Sequence, residues 1–187
     1  FAAEFKVGKL ISKKNGFGTF TYDYKEQYEG EFINGNPHGQ GTMTYSNGDK
    51  YVGKFEHGVY HGQGTKTNGH KNFLGAGKSE GEWKDGELNG HGTVTFDDGS
   101  KYVGEFKNGE YFGQGTLTYG PKSLWAGDEY KGEFKFNNKD GNGSQSYSDG
   151  NLYVGEWKND KYDGKGIFTW ADGTIQEGRW RNGRKIS

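Results

Sequence analysis

"YEGEFINGNPHGQGTMTYSNGDK", residues 28 to 50, decides the fold. Tyr28, Gly30 and Phe32 stand two apart, and side chains of an extended chain alternate between faces, so the three share one face of a strand. Gly35 marks a turn that needs a positive φ, which glycine adopts without steric cost. Beyond the Gly39-x-Gly41 step, "GTMTY" alternates apolar residues with Thr, which gives a second strand with one apolar and one polar face. "SNGDK" repeats the turn chemistry. The stretch reads as a β-hairpin with a second turn linking it to the next segment.

The next segment is the same unit again. Anchor glycines Gly8, Gly30, Gly53, Gly81, Gly104, Gly132, Gly155 and Gly178 recur at intervals of 22, 23, 28, 23, 28, 23 and 23 residues. Two positions later stand Leu10, Phe32, Phe55, Trp83, Phe106, Phe134, Trp157 and Trp180; two positions earlier, Tyr28, Tyr51, Tyr102, Tyr130 and Tyr153. The fifth residue after the anchor is Gly35, Gly58, Gly86, Gly109 or Gly183, and otherwise Asn137, Asp160 or, in a degraded first unit, Lys13. No segment shows helical periodicity with caps. The expected fold class is all-β, an elongated single-layer antiparallel sheet of stacked hairpins with about fifteen strands, curled, with an aromatic and glycine-rich face. Residues 1–187 read as one array, with units 5–27, 28–50, 51–78, 79–101, 102–129, 130–152, 153–175 and a partial 176–187.

Glycine inside a strand costs about 0.5–1 kcal/mol relative to Ala. The glycines recur in register with the rings, so each missing side chain is read as a slot that an aromatic from the neighbouring strand covers. Burial worth about 1.5–3 kcal/mol per ring outweighs that cost. Glu31, Glu82, Glu105, Glu133 and Glu156, with Lys84, Lys107, Lys135 and Lys158 after four of them, are assigned to the solvated face with the Thr rows.

Composition agrees. Only 29% of the 187 residues are apolar, but aromatics make up 17%, so the apolar content is concentrated in large rings. Lys and Arg number 24 against 25 Asp and Glu, which gives no general attraction for nucleic acid. The absence of Cys excludes a disulfide framework and thiolate metal sites, and fits a reducing compartment. No apolar run is long enough for a helical membrane span. The chain opens on Phe1, which reads as a fragment.

"NFLGAGKSEGEW", residues 72 to 83, has the look of a phosphate-binding loop, but position 72 is Asn where the first glycine belongs. Lys78 and Ser79 lead into a strand, whereas a phosphate cradle needs a helix N-terminus there. The stretch is one of two five-residue expansions of the repeat; the other is "GPKSLWAGDEY", residues 120 to 130. Each carries an apolar pair, Phe73-Leu74 and Leu124-Trp125, which either folds back over exposed rings or forms a contact ridge for a partner. His38, His57, His61 and His91 are spaced along the sheet by the repeat and do not converge as metal ligands must. No nucleophile, base or carboxylate pair stands apart from the repeat, so no catalytic, metal or cofactor residue is assigned.

The chain resembles the MORN repeat (membrane occupation and recognition nexus) family. "YEGEFINGNPHGQGTMTYSNGDK" and "YVGEFKNGEYFGQGTLTYG" (102 to 120) carry its Y-x-G-x-[FW]-x-x-G-x-x-x-G-x-G pattern, and the match covers nearly the whole chain. Departures are the "SKKN" turn of the first unit, Lys66 and Asn68 in the third, Ser79 in place of Tyr, and Gln145 inside a second strand of the sixth. The resemblance implies a non-enzymatic, intracellular scaffold, cytoplasmic and associated with cytoskeleton or membrane. Its partner is a protein, either a peptide segment or a second copy in a homodimer. A peripheral phospholipid binder and a glycan-binding sheet are the alternatives, with nucleic acid excluded. On the scaffold reading, Tyr28, Tyr51, Tyr102, Tyr130 and Tyr153 face the partner, with Phe73, Leu74, Leu124 and Trp125 as loop contacts. Trp180, Arg179, Arg181, Arg184 and Lys185 form a dimer edge or a contact with anionic lipid.

Overall fold

The computed structural model describes residues 15–22, 24–69 and 75–187. Among them there is no helix. Fifteen antiparallel strands pair in chain order within one sheet: β1 (Gly16–Thr21), β2 (Gln27–Ile33), β3 (Asn36–Thr44), β4 (Lys50–Glu56), β5 (Val59–Thr67), β6 (Ala76–Lys84), β7 (Glu87–Phe96), β8 (Lys101–Lys107), β9 (Glu110–Thr118), β10 (Glu129–Lys135), β11 (Asn138–Ser146), β12 (Leu152–Lys158), β13 (Lys161–Thr169), β14 (Ile175–Arg181) and β15 (Arg184–Lys185). The all-β hairpin array expected from the repeat is the fold observed. By its contacts the chain forms two compact units, Phe1–Val94 and Thr95–Ser187, each with its own aromatic core. Gly8, Leu10 and the Lys13 turn lie outside the described residues.

Each hairpin is closed by two residues that both have positive φ, as in Asn34 and Gly35 (50° and 77°), Asn108 and Gly109 (51° and 76°), or Asn182 and Gly183 (49° and 79°). Such two-residue turns match the right-handed twist of the strands they join. The positions expected to need this conformation have it, including Asn137 and Asp160, where glycine is absent.

Within the first unit, Gly18, Gly30, Gly41, Gly53, Gly64 and Gly81 pair successively across the strands; within the second, Gly104, Gly115, Gly132, Gly143, Gly155, Gly166 and Gly178 do the same. Over each row lie the tyrosine rings. A Cβ on Gly41 would sit 2.5 Å from the Tyr28 ring, and one on Gly143 would sit 2.5 Å from Cζ of Tyr130. These glycines are therefore needed for space, as their register with the rings leads one to expect. The other glycine of the G-x-G step has a different reason: Gly39 (φ 58°) and Gly113 (φ 64°) sit in a bulge where the second strand carries extra residues against the first.

That bulge explains two side chains. Tyr28, Tyr51, Tyr102, Tyr130 and Tyr153 each donate a hydroxyl hydrogen bond, 2.9–3.1 Å, to the carbonyl three residues on, at the bulge. Glu31, Glu105, Glu133 and Glu156 accept the bulge amides of Gln40, Gln114, Asn142 and Lys165 at 2.8–3.1 Å. These glutamates, assigned from sequence to a merely solvated face, are structural caps for backbone N–H groups that the ladder leaves over.

Candidate interaction groove

The aromatic face is a core. Tyr28, Tyr51, Tyr102, Tyr130 and Tyr153 are 0% exposed. Each packs edge-to-face between the aromatic of its own hairpin and that of the next: Tyr102 lies 5.1 Å from Phe106 and 5.0 Å from Phe134, and Tyr130 lies 5.0 Å from Phe134 and 5.1 Å from Trp157. This corrects the expectation that the tyrosines meet a partner. A ring with phenol and face both engaged inside the protein has no surface left to offer. Trp180 is likewise buried, its Nε1–H donated to the Gly166 carbonyl at 3.2 Å, so it is not an edge residue. Arg179, Arg181, Arg184 and Lys185 are exposed around it. Phe73 and Leu74 lie outside the described residues. Leu124 and Trp125 are 92% and 59% exposed, so the second expansion does not bury its apolar pair.

A further layer lies on the tyrosines, contributed by the second residue of each second strand. In three hairpins it is another tyrosine stacked face to face: Tyr60 on Tyr51, Tyr111 on Tyr102 and Tyr162 on Tyr153, each 3.7 Å between centroids. Pro37 and Leu88 hold the place in two others. In the hairpin of β10 and β11 it is Lys139. Its ammonium lies 4.9 Å from the Tyr130 ring centroid, 5.1 Å from Trp157 and 5.6 Å from Tyr119, and donates to Oε1 of Gln145. Gln145 is 2% exposed, and its NH2 donates to the Ser146 carbonyl at 3.3 Å.

Around this pair opens a groove of about 540 Å³, lined by Tyr119, Trp125, Asp128, Lys139, Tyr147 and Tyr162 among others. Trp125 tilts against Tyr119 at 5.6 Å. Burial pulls the Lys139 ammonium down to about 8, against the opposing pull of Asp160 and Asp128. Burial, then Asp160 and Asp128, push the Tyr119 phenol up to about 12. Burial chiefly raises Tyr147 and Tyr162, whose hydroxyls bond each other. The two carboxylates are pinned by backbone amides: Asp160 Oδ1 accepts Lys139 N–H and Asp128 Oδ1 accepts Ser148 N–H, both at 2.9 Å. Gln145 stands out in the sequence as a departure from the repeat. Lys139 does not; comparing Pro37, Tyr60, Leu88, Tyr111, Lys139, Tyr162 and Lys185 column by column would have exposed the cation that stands inside the array.

The first unit has a hollow of about 550 Å³ at the corresponding level, lined by Tyr45, Asp49, Tyr60 and Lys66. There the tyrosine stack is intact, with the Tyr45 and Tyr60 hydroxyls bonded to each other.

Residues 76–84, which include the Gly77-Lys78-Ser79 of the phosphate-loop lookalike, form β6; Lys78 pairs across to Thr67 and ion-pairs with Glu80 at 2.8 Å. His57 sits in a hairpin turn with φ 51°, and His61 meets Glu56 at 3.1 Å. No group of three metal-ligating side chains converges among the described residues. No described helix is long and apolar enough to cross a membrane.

Comparison with known proteins places this architecture. The sequence profile of the MORN repeat matches residues 12–23, 28–50, 51–70, 80–101, 102–123, 130–152 and 153–175, and the chain belongs to the MORN-repeat family. MORN repeats are protein- and membrane-interaction modules of membrane- or cytoskeleton-associated proteins, and the match indicates no enzymatic family. No curated protein sequence matches the chain. Among solved structures, the TCP domain of SAS-4 from Drosophila melanogaster, in complex with a proline-rich motif of Ana2, is 11% identical; the match covers 86% of this chain and 81% of that one, with a TM-score of 0.48. A catalytically inactive virginiamycin B lyase from Staphylococcus aureus with quinupristin is 10% identical over 92% of this chain and 72% of that one, with a TM-score of 0.21.

Proposed function

We propose that the chain is a non-enzymatic scaffold that binds a segment of a partner protein in the groove of its second unit. One observation carries the reading: at Lys139 the ring stack gives way to a cation, and on the wall of the same groove Trp125, next in sequence to the exposed Leu124, stands out in solvent. There a half-buried polar floor adjoins an exposed aromatic anchor, the mix by which binding sites obtain both area and orientation. The test is selection of a random peptide display library against the chain, followed by measurement of the best peptide on the Leu124→Ala/Trp125→Ala variant. Affinity falling about tenfold or more at unchanged melting temperature supports the groove. Binding that survives the double substitution, or a library without binders, overturns it.

A second reading has its own observation. Arg179, Arg181, Arg184 and Lys185 are all exposed on the hairpin of β14 and β15, where Arg181 pairs directly with Arg184. Cations set side by side suit an anionic lipid surface, at about 1 kcal/mol each. Sedimentation with phosphatidylserine vesicles, lost in high salt and in the fourfold alanine variant, would favour this reading over the groove. Self-association through the last strand has less support, because Arg179 already exchanges backbone hydrogen bonds with Ile186 and Ser187.

A further inference from the structure

The groove's chemistry allows the partner to be described more closely, on the premise that the groove is the binding site. We infer that the partner presents an acidic side chain, Asp or Glu, to Lys139, next to a large apolar or aromatic residue that packs on Trp125. Lys185 holds the same place in the last hairpin and is exposed, whereas Lys139 carries its charge into the ring stack, and of its three N–H groups one is used, on Gln145. Among the described residues no carboxylate stands within ion-pairing distance of it. Asp128 and Asp160, the acids of the same groove, are each held by a backbone amide at the ends of neighbouring strands and act on Lys139 at longer range.

A half-buried ammonium with spare donors and rings on its flanks is short of one thing, an anion. The rings supply part of what water would, at about 0.5–2 kcal/mol for such contacts, but they leave the remaining N–H groups unmatched. A carboxylate entering from the open side completes them, and it does so where the local dielectric is low and the pair is strong. Lys161, exposed on the groove wall, adds a second cation on the approach. The exposed Trp125 lines the same groove as the ammonium, so the acid and the apolar anchor sit close together in the partner's sequence. A basic side chain fits worse at this point, because it must place its cation beside Lys139 and Lys161, while Asp128 and Asp160 are already engaged by backbone amides.

The experiment uses the full chain and the same random peptide library, with peptides of about twelve residues, long enough when extended to cross several strands. Selected peptides are expected to share an Asp or Glu beside an aromatic or large aliphatic residue. For the best of them, replacing the acid by its amide should weaken binding to the native chain by about tenfold. It should change binding to the Lys139→Met variant by less than about threefold, because the interaction is then already gone. Lys139→Met removes a half-buried cation, and its melting temperature, measured beside the native chain's, separates lost coupling from lost folding. Selection of Lys or Arg at that position overturns the inference, as does an acid whose amide is equally damaging on both chains. Those outcomes leave the groove standing, since binding would still depend on Trp125. A library that yields no binder removes the groove and this inference together.

Discussion

The hairpins 130–152 and 153–175 are neighbours in one compact unit with the same plan, and they treat the same positions oppositely. In the second of them, the turn opens on Asn159, Tyr162 stacks on Tyr153, and Phe168 continues the apolar face. In the first, the turn opens on Phe136, Lys139 replaces the stacked ring, and Gln145 is buried where Phe168 stands in its neighbour. Three rules of the repeat are broken within ten residues, and all three lie in one hairpin. Departures occur in other hairpins too, at Lys66, Asn68 and Ser79; in this one they fall at the turn, the stacked layer and the second strand together, beside an open groove and an exposed Trp125, and read as stability given up for a site.

The largest test exchanges the two solutions. Tyr162→Lys should destabilise the chain by about 3–5 kcal/mol, since it removes a stacked ring and puts a cation among Phe168, Trp180 and Tyr153 with no glutamine to receive it. Urea unfolding at unchanged slope would show this as a lowered midpoint. A loss under about 1 kcal/mol would mean that the stack matters little and that Lys139 is nothing special.

The reverse exchange should stabilise. Lys139→Tyr restores the stack on Tyr130 and removes a half-buried charge, for a gain of about 1–2 kcal/mol, and it fills the groove. Thermal melting and peptide binding should therefore move in opposite directions. If both improve, the polar floor is not part of the site.

The third test separates the charge from the shape. The folded-state value of Lys139 lies near 8, below its ordinary value, so protonation favours the unfolded chain. That penalty is fully present below about pH 8 and is relieved as pH rises toward 10, where the unfolded lysine also loses its proton. The stability of the native chain relative to Lys139→Met should rise across this window by about 1–2 kcal/mol. Burial also raises the tyrosine phenols in the folded state, so both chains lose stability as pH nears 10 and the unfolded phenols ionise first, and the difference between the two chains isolates the lysine. A native chain that runs parallel to the variant between pH 8 and 10 would show that Lys139 is solvated.

Much of this architecture is legible in the residues alone. The turns are, because Gly, Asn and Asp at fixed offsets announce positive φ. The ring face is, because a period of two needs no coordinates. The division of labour within G-x-G is not: one glycine makes room for Tyr28 and the other bends the chain, and spacing cannot tell space from conformation. The glutamates mislead for the same reason, since Glu31 meets the amide of Gln40 only because a bulge turns that amide toward the exposed face. The tyrosines look like a binding surface in the sequence because exposure is a property of layers. Tyr130 is covered by what stands on β11, and no pattern within its own strand shows that.

The smallest effect sits at the turn of the same hairpin. Phe136 has φ 50°, a left-handed conformation, at a position held elsewhere by Asn34, His57, Asp85, Asn108, Asn159 and Asn182. That conformation costs an L-residue with a bulky side chain about 1 kcal/mol, while Asn tolerates it through local hydrogen bonding. The ring is exposed, with Lys135 over its face at 5.7 Å, and recovers little by burial. Phe136→Asn should therefore raise stability by about 0.5–1 kcal/mol, read from the urea midpoint. What happens to peptide binding in that variant then decides the meaning of the strain. Unchanged affinity makes Phe136 a neutral departure, whereas weakened affinity at higher stability extends the site from Lys139 and Trp125 to the hairpin tip, with the exposed ring as a further contact.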